Sequence, residues 1–224
     1  MSANKTVLLT GGSRGIGAAI AKLLHSKGYH VVSPTHNELD LSNMKSINKY
    51  KTMIDELNIS ILINNAGINP VMNIGEFTED SIAETLNVNL ISPIFLTQAV
   101  WEGFKKQKFG RVVNISSMWS NITKPGRAIY TASKSGINGL TRTLAVEGAS
   151  YNILVNSICP GYIDTELTRE NNSVEDILAI ENKIPMGRMG TPEEIAKVVL
   201  FLISEENTYI TGQAIIVDGG YSII

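Results

Sequence analysis

Apolar residues fall along this chain in two alternating rhythms: short continuous runs, and longer stretches that return every third or fourth position. Residues 6–10 form the first run, and a glycine-rich turn follows at once, Gly11-Gly12-Ser13-Arg14-Gly15-Ile16-Gly17. Beyond it Ile16, Ile20, Leu23 and Leu24 share one helical face, which predicts a helix to about Ser26. The same reading places strands at 30–34, 59–64, 110–115, 153–158 and 214–217. Helices are expected over about 43–57, 79–106 and 128–150, the last from the spacing of Ile137, Leu140, Leu144 and Val146. A further helix starts near Thr191-Pro192-Glu193-Glu194, which supplies an N-cap, an N1 proline and early acids. Strands alternating with helices throughout predict an α/β fold of three layers, a parallel sheet covered on both faces.

Three stretches break this regularity. A crossover between parallel strands needs a dozen or more residues, and none are available between Pro34 and Leu39. The third strand is therefore expected to shrink to a residue or two around Leu39-Asp40, or to vanish. Within 79–106, Pro93 stands four residues after Asn89. Proline has no N–H, so the Asn89 carbonyl loses its helical partner, a kink is expected, and the freed oxygen is able to hold a water. Residues 164–190 are polar, with Glu166, Arg169, Glu170, Asn171 and Asn172, and read as a segment covering a substrate.

Composition narrows the classes. A length of 224 residues suits one domain, and no linker or repeat divides it. Nineteen basic against twenty-one acidic residues, net −2, give no attraction for nucleic acid or an anionic membrane. No apolar run approaches the ~18 residues of a membrane span. Met1-Ser2-Ala3-Asn4-Lys5 leads straight into the first strand without signal-peptide architecture, so a cytoplasmic protein is expected. Cys159 is the only cysteine and no Cys/His cluster occurs, so neither disulfide nor metal is expected.

Two stretches carry candidate chemistry. Strand, glycine turn, helix is the context in which N–H groups at a helix N-terminus cradle a pyrophosphate, although the spacing here is T-G-x-x-x-G-x-G rather than G-x-G-x-x-G. Tyr130 and Lys134 lie four apart in the 128–150 helix and so share a face. A phenol ordinarily ionises near pH ~10. A neighbouring cation lowers that value and desolvation raises it, and the expectation here is that Lys134 lowers it.

Taken in order, Thr10-Gly11-x-x-x-Gly15-x-Gly17, Asn64-Asn65-Ala66-Gly67, Asn89, Ser117, Tyr130-x-x-x-Lys134 and Pro160-Gly161 resemble the short-chain dehydrogenase/reductase family over nearly the full length. Ile184-Pro185-Met186-Gly187-Arg188 and Ile210-Thr211-Gly212-Gln213 are similar to its 3-oxoacyl-carrier-protein reductase branch. The resemblance implies one Rossmann-type, doubly wound nucleotide-binding domain over 1–224, hydride exchange between a ketone and a secondary alcohol, and a homo-oligomer, with a tetramer favoured. It implies Tyr130 as general acid or base, Lys134 as its modulator and ribose ligand, Ser117 as substrate holder, and Asn89 as part of a proton relay. Around the cofactor it implies Gly11, Ser13, Gly15, Ile16 and Gly17 at the pyrophosphate and adenosine ribose, and Asp40 and Leu41 at the adenine. Asn65, Ala66 and Gly67 would line the cleft, with Pro160, Gly161, Ile163 and Thr165 at the nicotinamide.

NADP is expected over NAD. The end of the second strand, Ser33 to Asn37, offers no acid, Glu38 is expected to have turned away, and Arg14 with Thr35 would meet a 2′-phosphate. Trp119 and Met118 follow Ser117 closely enough to line a substrate pocket. Tyr151 stands where carrier-protein reductases commonly have a basic residue, leaving Lys105, Lys106 and Lys108 as compensation. A sugar, polyol or nucleotide-sugar substrate is therefore the alternative to an acyl thioester, and a non-catalytic dinucleotide-binding module is the remote one.

Overall fold

Six parallel strands form one sheet: β1 (Thr6–Leu9), β2 (His30–Val32), β3 (Ile59–Asn64), β4 (Gly110–Ile115), β5 (Ile153–Pro160) and β6 (Ala214–Val217). Their order is β2-β1-β3-β4-β5-β6. The winding reverses between β1 and β3, and a crevice opens beyond their C-terminal ends, as in other doubly wound sheets. The computed structural model describes residues 5–170 and 172–224, with Asp55 and Leu167 through their backbone only. Met1 to Asn4 and Asn171, which entered the sequence reading, lie outside the described residues.

Alternation along the strands makes two cores. Val7, Leu9, Ile61, Ile63, Val113, Ile115 and Ile158 face α1 (Gly15–Ser26) and α8 (Pro192–Ile203). Leu8, Leu62, Val112 and Val155 face the other way, onto α2 (Met44–Ile54), α4 (Ser92–Gln107) and α5 (Ala128–Gly148). Each fully buried aliphatic side chain stabilises the fold by about 1.5–3 kcal/mol, which is why the strands are apolar on both faces. The expected Rossmann-type, three-layer α/β architecture is present. No helix among the described residues is long and apolar enough to cross a membrane.

The crossover argument holds: among the described residues no strand lies between β2 and β3. The chain instead makes a turn closed by Leu39 N–H donating to the Thr35 carbonyl at 2.9 Å, and Leu39 buries itself against α2. The expected helix 79–106 is divided into α3 (Glu79–Leu86), a π-helical turn at Asn87–Ile91, and α4. Instead of a plain kink, the ladder slips by one residue, with Ser92 N–H reaching back to the Asn87 carbonyl.

Residues 164–190 hold two short helices, α6 (Glu166–Glu170) and α7 (Val174–Glu181), the second started by a Ser173/Asp176 capping box. Both ends of the segment meet at one point. Asp164 N–H donates to the Gly190 carbonyl (2.8 Å), and Gly190 N–H donates to the Tyr162 carbonyl (2.9 Å). Val146, counted above with the core spacing, is 81% exposed, because α5 buries the face of Ile137, Thr141 and Ala145 instead.

Candidate active site

The glycine turn is built by exclusion of side chains. Gly11 has φ +67, and a Cβ there would stand 3.0 Å from Ala66 Cα. A Cβ on Gly12 would stand 2.3 Å from Ser33 Oγ, and one on Gly17 2.0 Å from the Gly11 carbonyl oxygen. The turn, the end of β2 and residues 65–67 are therefore pressed together. Thr10 locks them: its hydroxyl accepts from Asn65 N–H and Ala66 N–H (both 3.1 Å), while Asn65 Nδ2 donates to the Thr10 and Gly11 carbonyls (3.0 and 2.9 Å). In the sequence only its place before Gly11, in T-G-x-x-x-G-x-G, marks Thr10.

At the start of α1, Arg14 is the N-cap but makes no side-chain capping bond, and the first turn holds no acid. Its N–H groups remain available to an anion. The Thr165 methyl lies 3.4 Å from where a Gly15 Cβ would stand, so the covering segment reaches the turn. This side-chain-free cradle fits the pyrophosphate of a dinucleotide. A cavity of about 290 Å³ lined by Gly15, Lys22, Asp164, Thr165 and Pro192 adjoins it and reaches none of Ser117, Tyr130 or Lys134.

Ser117 follows β4 in extended conformation, its Oγ accepting from Trp119 N–H at 3.2 Å. Ser116 faces α5, donating to the Lys134 carbonyl at 3.1 Å. Lys134 is 4% exposed and its Nζ donates to the Ile115 carbonyl at 2.7 Å. Burial lowers its pKa to about 8. Tyr130 is partly buried, and desolvation raises its pKa, outweighing the pull of the Ser117 hydroxyl and the Arg127 charge. The expected lowering by Lys134 is therefore not found. Its ammonium lies 5.7 Å from the Tyr130 ring centre, committed to the Ile115 carbonyl, and Arg127 is the cation that acts on the phenol. A phenol held protonated at neutral pH is suited to donating a proton.

The Asn89 side chain is itself a structural clamp, beside the carbonyl singled out from the sequence. Its amide exchanges two hydrogen bonds with the Ile68 backbone, Nδ2 to O and N–H to Oδ1 (both 2.9 Å), and donates to Ser133 Oγ (3.1 Å). Ser133 Oγ donates in turn to the Tyr130 carbonyl (2.8 Å), a link whose only sequence signal was its place three residues after Tyr130. A Cβ on Gly67 would stand 3.3 Å from both Asn89 Oδ1 and Lys134 Nζ. Beneath, a buried chain Asn64–Asn114–Thr141–Ser157 (2.8, 2.9 and 2.7 Å) ties β3, β4, α5 and β5 into one support.

The remaining expected cofactor residues divide. Gly161 N–H donates to the Val217 carbonyl (2.9 Å), and a Cβ on it would stand 2.6 Å from Asp218 Cβ, so Pro160-Gly161 turns tightly at the end of β5. The Ile163 side chain belongs to the core, and its carbonyl accepts from Thr168 Oγ1 at 2.8 Å. Asp40 is occupied: its carboxylate accepts from Ser42 N–H and Oγ (2.9 and 2.7 Å), while Leu41 packs against the α2 side of the core. Glu38 has not turned away. Its carboxylate accepts from Thr35 N–H and Oγ1 (2.7 and 2.8 Å), since a turn that tight brings position i+3 back over the residue that opens it.

Met118 is fully buried, whereas Trp119 meets Tyr162 and Tyr221 edge-on, at 6.1 and 6.4 Å between ring centres. Lys105 Nζ lies 5.5 Å over the Tyr151 ring, so a positive charge stands beside the position where a carrier-protein reductase is expected to have a basic residue.

Residues 38–222 match the family model described as Enoyl-(Acyl carrier protein) reductase, and residues 5–53 the one described as short chain dehydrogenase. Acetoacetyl-CoA reductase of Shinella zoogloeoides is 39% identical over 238 residues, covering 97% of this chain and 98% of the relative. A 3-oxoacyl-(acyl-carrier-protein) reductase of Vibrio cholerae is 36% identical, covering 98% of each. The solved structure of 4-hydroxyisoleucine dehydrogenase complexed with NADH superposes with TM-score 0.93 at 33% identity, over 98% of this chain and 99% of that one. A putative NAD(P)-dependent gluconate 5-dehydrogenase from Beutenbergia cavernae with bound NADP gives 0.91 at 30%, over 99% and 98%. Likeness that runs end to end in both sequence and backbone leaves one conclusion: the chain belongs to the short-chain dehydrogenase/reductase family.

Proposed function

We propose that this oxidoreductase interconverts a ketone and a secondary alcohol with NADP(H), in one nucleotide-binding domain whose segment 164–190 covers a substrate built on a 3-oxoacyl skeleton. The observation that carries the reading is the pairing of the Ser117 hydroxyl with Tyr130, with Lys134 and Asn89 meeting at side-chain-free Gly67 nearby. The bound dinucleotide supplies or accepts the hydride at the carbonyl carbon. Ser117 holds the carbonyl oxygen, and Tyr130 gives it a proton, which balances the reduction to an alcohol. Lys134 holds the nicotinamide ribose and, with Asn89, returns a proton to the tyrosine. Gly11, Ser13, Gly15, Ile16 and Gly17 hold the pyrophosphate side, with Asn65, Ala66, Pro160, Gly161, Ile163 and Thr165 along the cleft. The names of the relatives, acetoacetyl-CoA reductase and 3-oxoacyl-(acyl-carrier-protein) reductase, support the skeleton. The solved relative named for gluconate favours a hydroxylated substrate as the second reading. A cytoplasmic location fits the chemistry of such reductases.

The dinucleotide preference rests on Arg14, exposed and without an ion-pair partner among the described residues. Glu38, held at Thr35, opposes it. To test the chemistry, both dinucleotides are assayed against acyl thioesters, sugars and simple ketones with the natural protein and with Tyr130→Phe. The substitution keeps the ring and removes the proton, so turnover should fall by the ~10²–10⁴-fold typical of acid–base groups. Near-normal turnover by Tyr130→Phe would overturn the mechanism. Tight dinucleotide binding without turnover of any carbonyl would point to the non-catalytic module.

A further inference from the structure

The loop between Ser117 and α5 brings two cations to the edge of the site, and neither has an ionic partner among the described residues. Lys124 Nζ donates to the Tyr162 hydroxyl at 3.3 Å and lies 5.3 Å over the Trp119 ring and 5.8 Å over that of Tyr162. Trp119, Tyr162 and Tyr221 meet edge to face with ring centres 5.3–6.4 Å apart, a rigid aromatic floor. Arg127 is the N-cap of α5, three residues before Tyr130, and its Nε is buried with no hydrogen-bond partner. All four ion pairs among the described residues lie elsewhere.

The two cations repel each other, and partial desolvation against the aromatic rings, with Arg127, lowers the Lys124 pKa. Lys183, at the end of α7 in the covering segment, adds a third positive charge acting on Tyr221. Arg127 also acts directly on Tyr130, so this positive wall and the proton donor share one space. Like charges held together without a counter-ion raise the energy of the protein alone, and an incoming anion relieves that cost. A fork-shaped guanidinium beside an ammonium matches a carboxylate well.

We propose that Lys124 and Arg127 form a carboxylate subsite, and that the substrate is a short oxo acid or hydroxy acid bearing its own free carboxylate, rather than a thioester. This rests on the reading of Tyr130 as proton donor. The carboxylate would lie over the aromatic floor between the two cations, with the carbonyl reaching Ser117 and Tyr130.

The test compares 2-, 3- and 4-oxo acids, each beside its methyl ester and its N-acetylcysteamine thioester, by kcat/KM with the preferred dinucleotide. The best free acid should exceed its own ester at least tenfold. That preference ratio should fall about 10- to 100-fold in Lys124→Met and in Arg127→Met, the loss expected of one charged hydrogen bond, and should persist in Lys124→Arg. Lys124 is exposed, so its variants are expected to fold. Esters or thioesters reduced as well as the acids, or a ratio unchanged in the variants, overturn the carboxylate subsite. With Tyr130-dependent turnover of those neutral substrates intact, the parent reading stands. Loss of all Tyr130-dependent turnover would sink both.

Discussion

Lys134 and Tyr130, one helical turn apart on α5, are pushed by the same burial in directions that both favour their neutral forms. Lys134 loses its charge as pH rises through about 8, while Tyr130 keeps its proton to higher pH than an ordinary phenol. An alkaline limb near pH 8 in kcat/KM for the dinucleotide, a quantity that reports the free enzyme, therefore belongs to Lys134. Direct dinucleotide binding should weaken above the same pH in the natural protein and in Tyr130→Phe, and lose that limb in Lys134→Met. Stability should run the other way. Because the folded pKa of Lys134 lies below the free value, the unfolded chain binds more protons between about 8 and 10.5, and folding is favoured as pH rises through that window. A limb that survives Lys134→Met would contradict this assignment.

Arg14 and Glu38 set a second residue-scale balance. Arg14→Ala should weaken NADP(H) by about 1.5–3 kcal/mol and barely change NAD(H), whereas Glu38→Gln should strengthen NADP(H) by removing a repulsion. Equal effects on both dinucleotides, read by fluorescence titration, would remove these residues from the ribose site. The sequence made the bare end of β2 visible, but the return of Glu38 to Thr35 depends on a turn whose closure no residue type announces. The same is true of Asp40, whose carboxylate caps its own turn through Ser42.

At the scale of elements, regular periodicity was legible and interruptions were legible only in part. The α8 start could be read directly, since Thr191, Pro192 and Glu194 are a capping box with an N1 proline. α6 and α7 could not, being 5 and 8 residues long in a polar stretch with too few turns for a period to emerge. Pro93 signalled a disturbed ladder, but not that it takes the form of a π turn, nor that Asn89, only 2% exposed, would point its amide at Ile68 and Ser133. That arrangement joins α5 to the loop after β3, so Asn89→Ala should leave the Ile68 backbone unpaired in a partly buried place. A loss of about 1–3 kcal/mol in urea denaturation is expected, together with reduced kcat. Ser133→Ala removes only one of those partners and should cost less in both. Equal stability of Asn89→Ala and the natural protein would mean the clamp contributes nothing.

For the whole molecule, the two-faced sheet was legible because a strand buried on both sides must be apolar throughout, and because 34–39 is too short for a crossover. What an isolated chain's pattern did not separate was core from apolar surface, as Val146 shows. Ile94 on α4, Val146 on α5 and Tyr151 just beyond it are exposed hydrophobics of the α4–α5 side of the sheet. Phe201 is exposed on α8, on the opposite face of the sheet, and Tyr209, Ile223 and Ile224 are exposed in the C-terminal stretch. The family resemblance favours a tetramer, and in one of dihedral symmetry these two faces would serve two isologous interfaces. A homotetramer is therefore expected by light scattering at micromolar concentration. Val146→Glu would place four charges in one interface class and leave the other intact, so its product should be a dimer with folded secondary structure. A natural protein that is monomeric at that concentration, or a Val146→Glu variant that stays tetrameric, would show that the α4–α5 face is simply solvated.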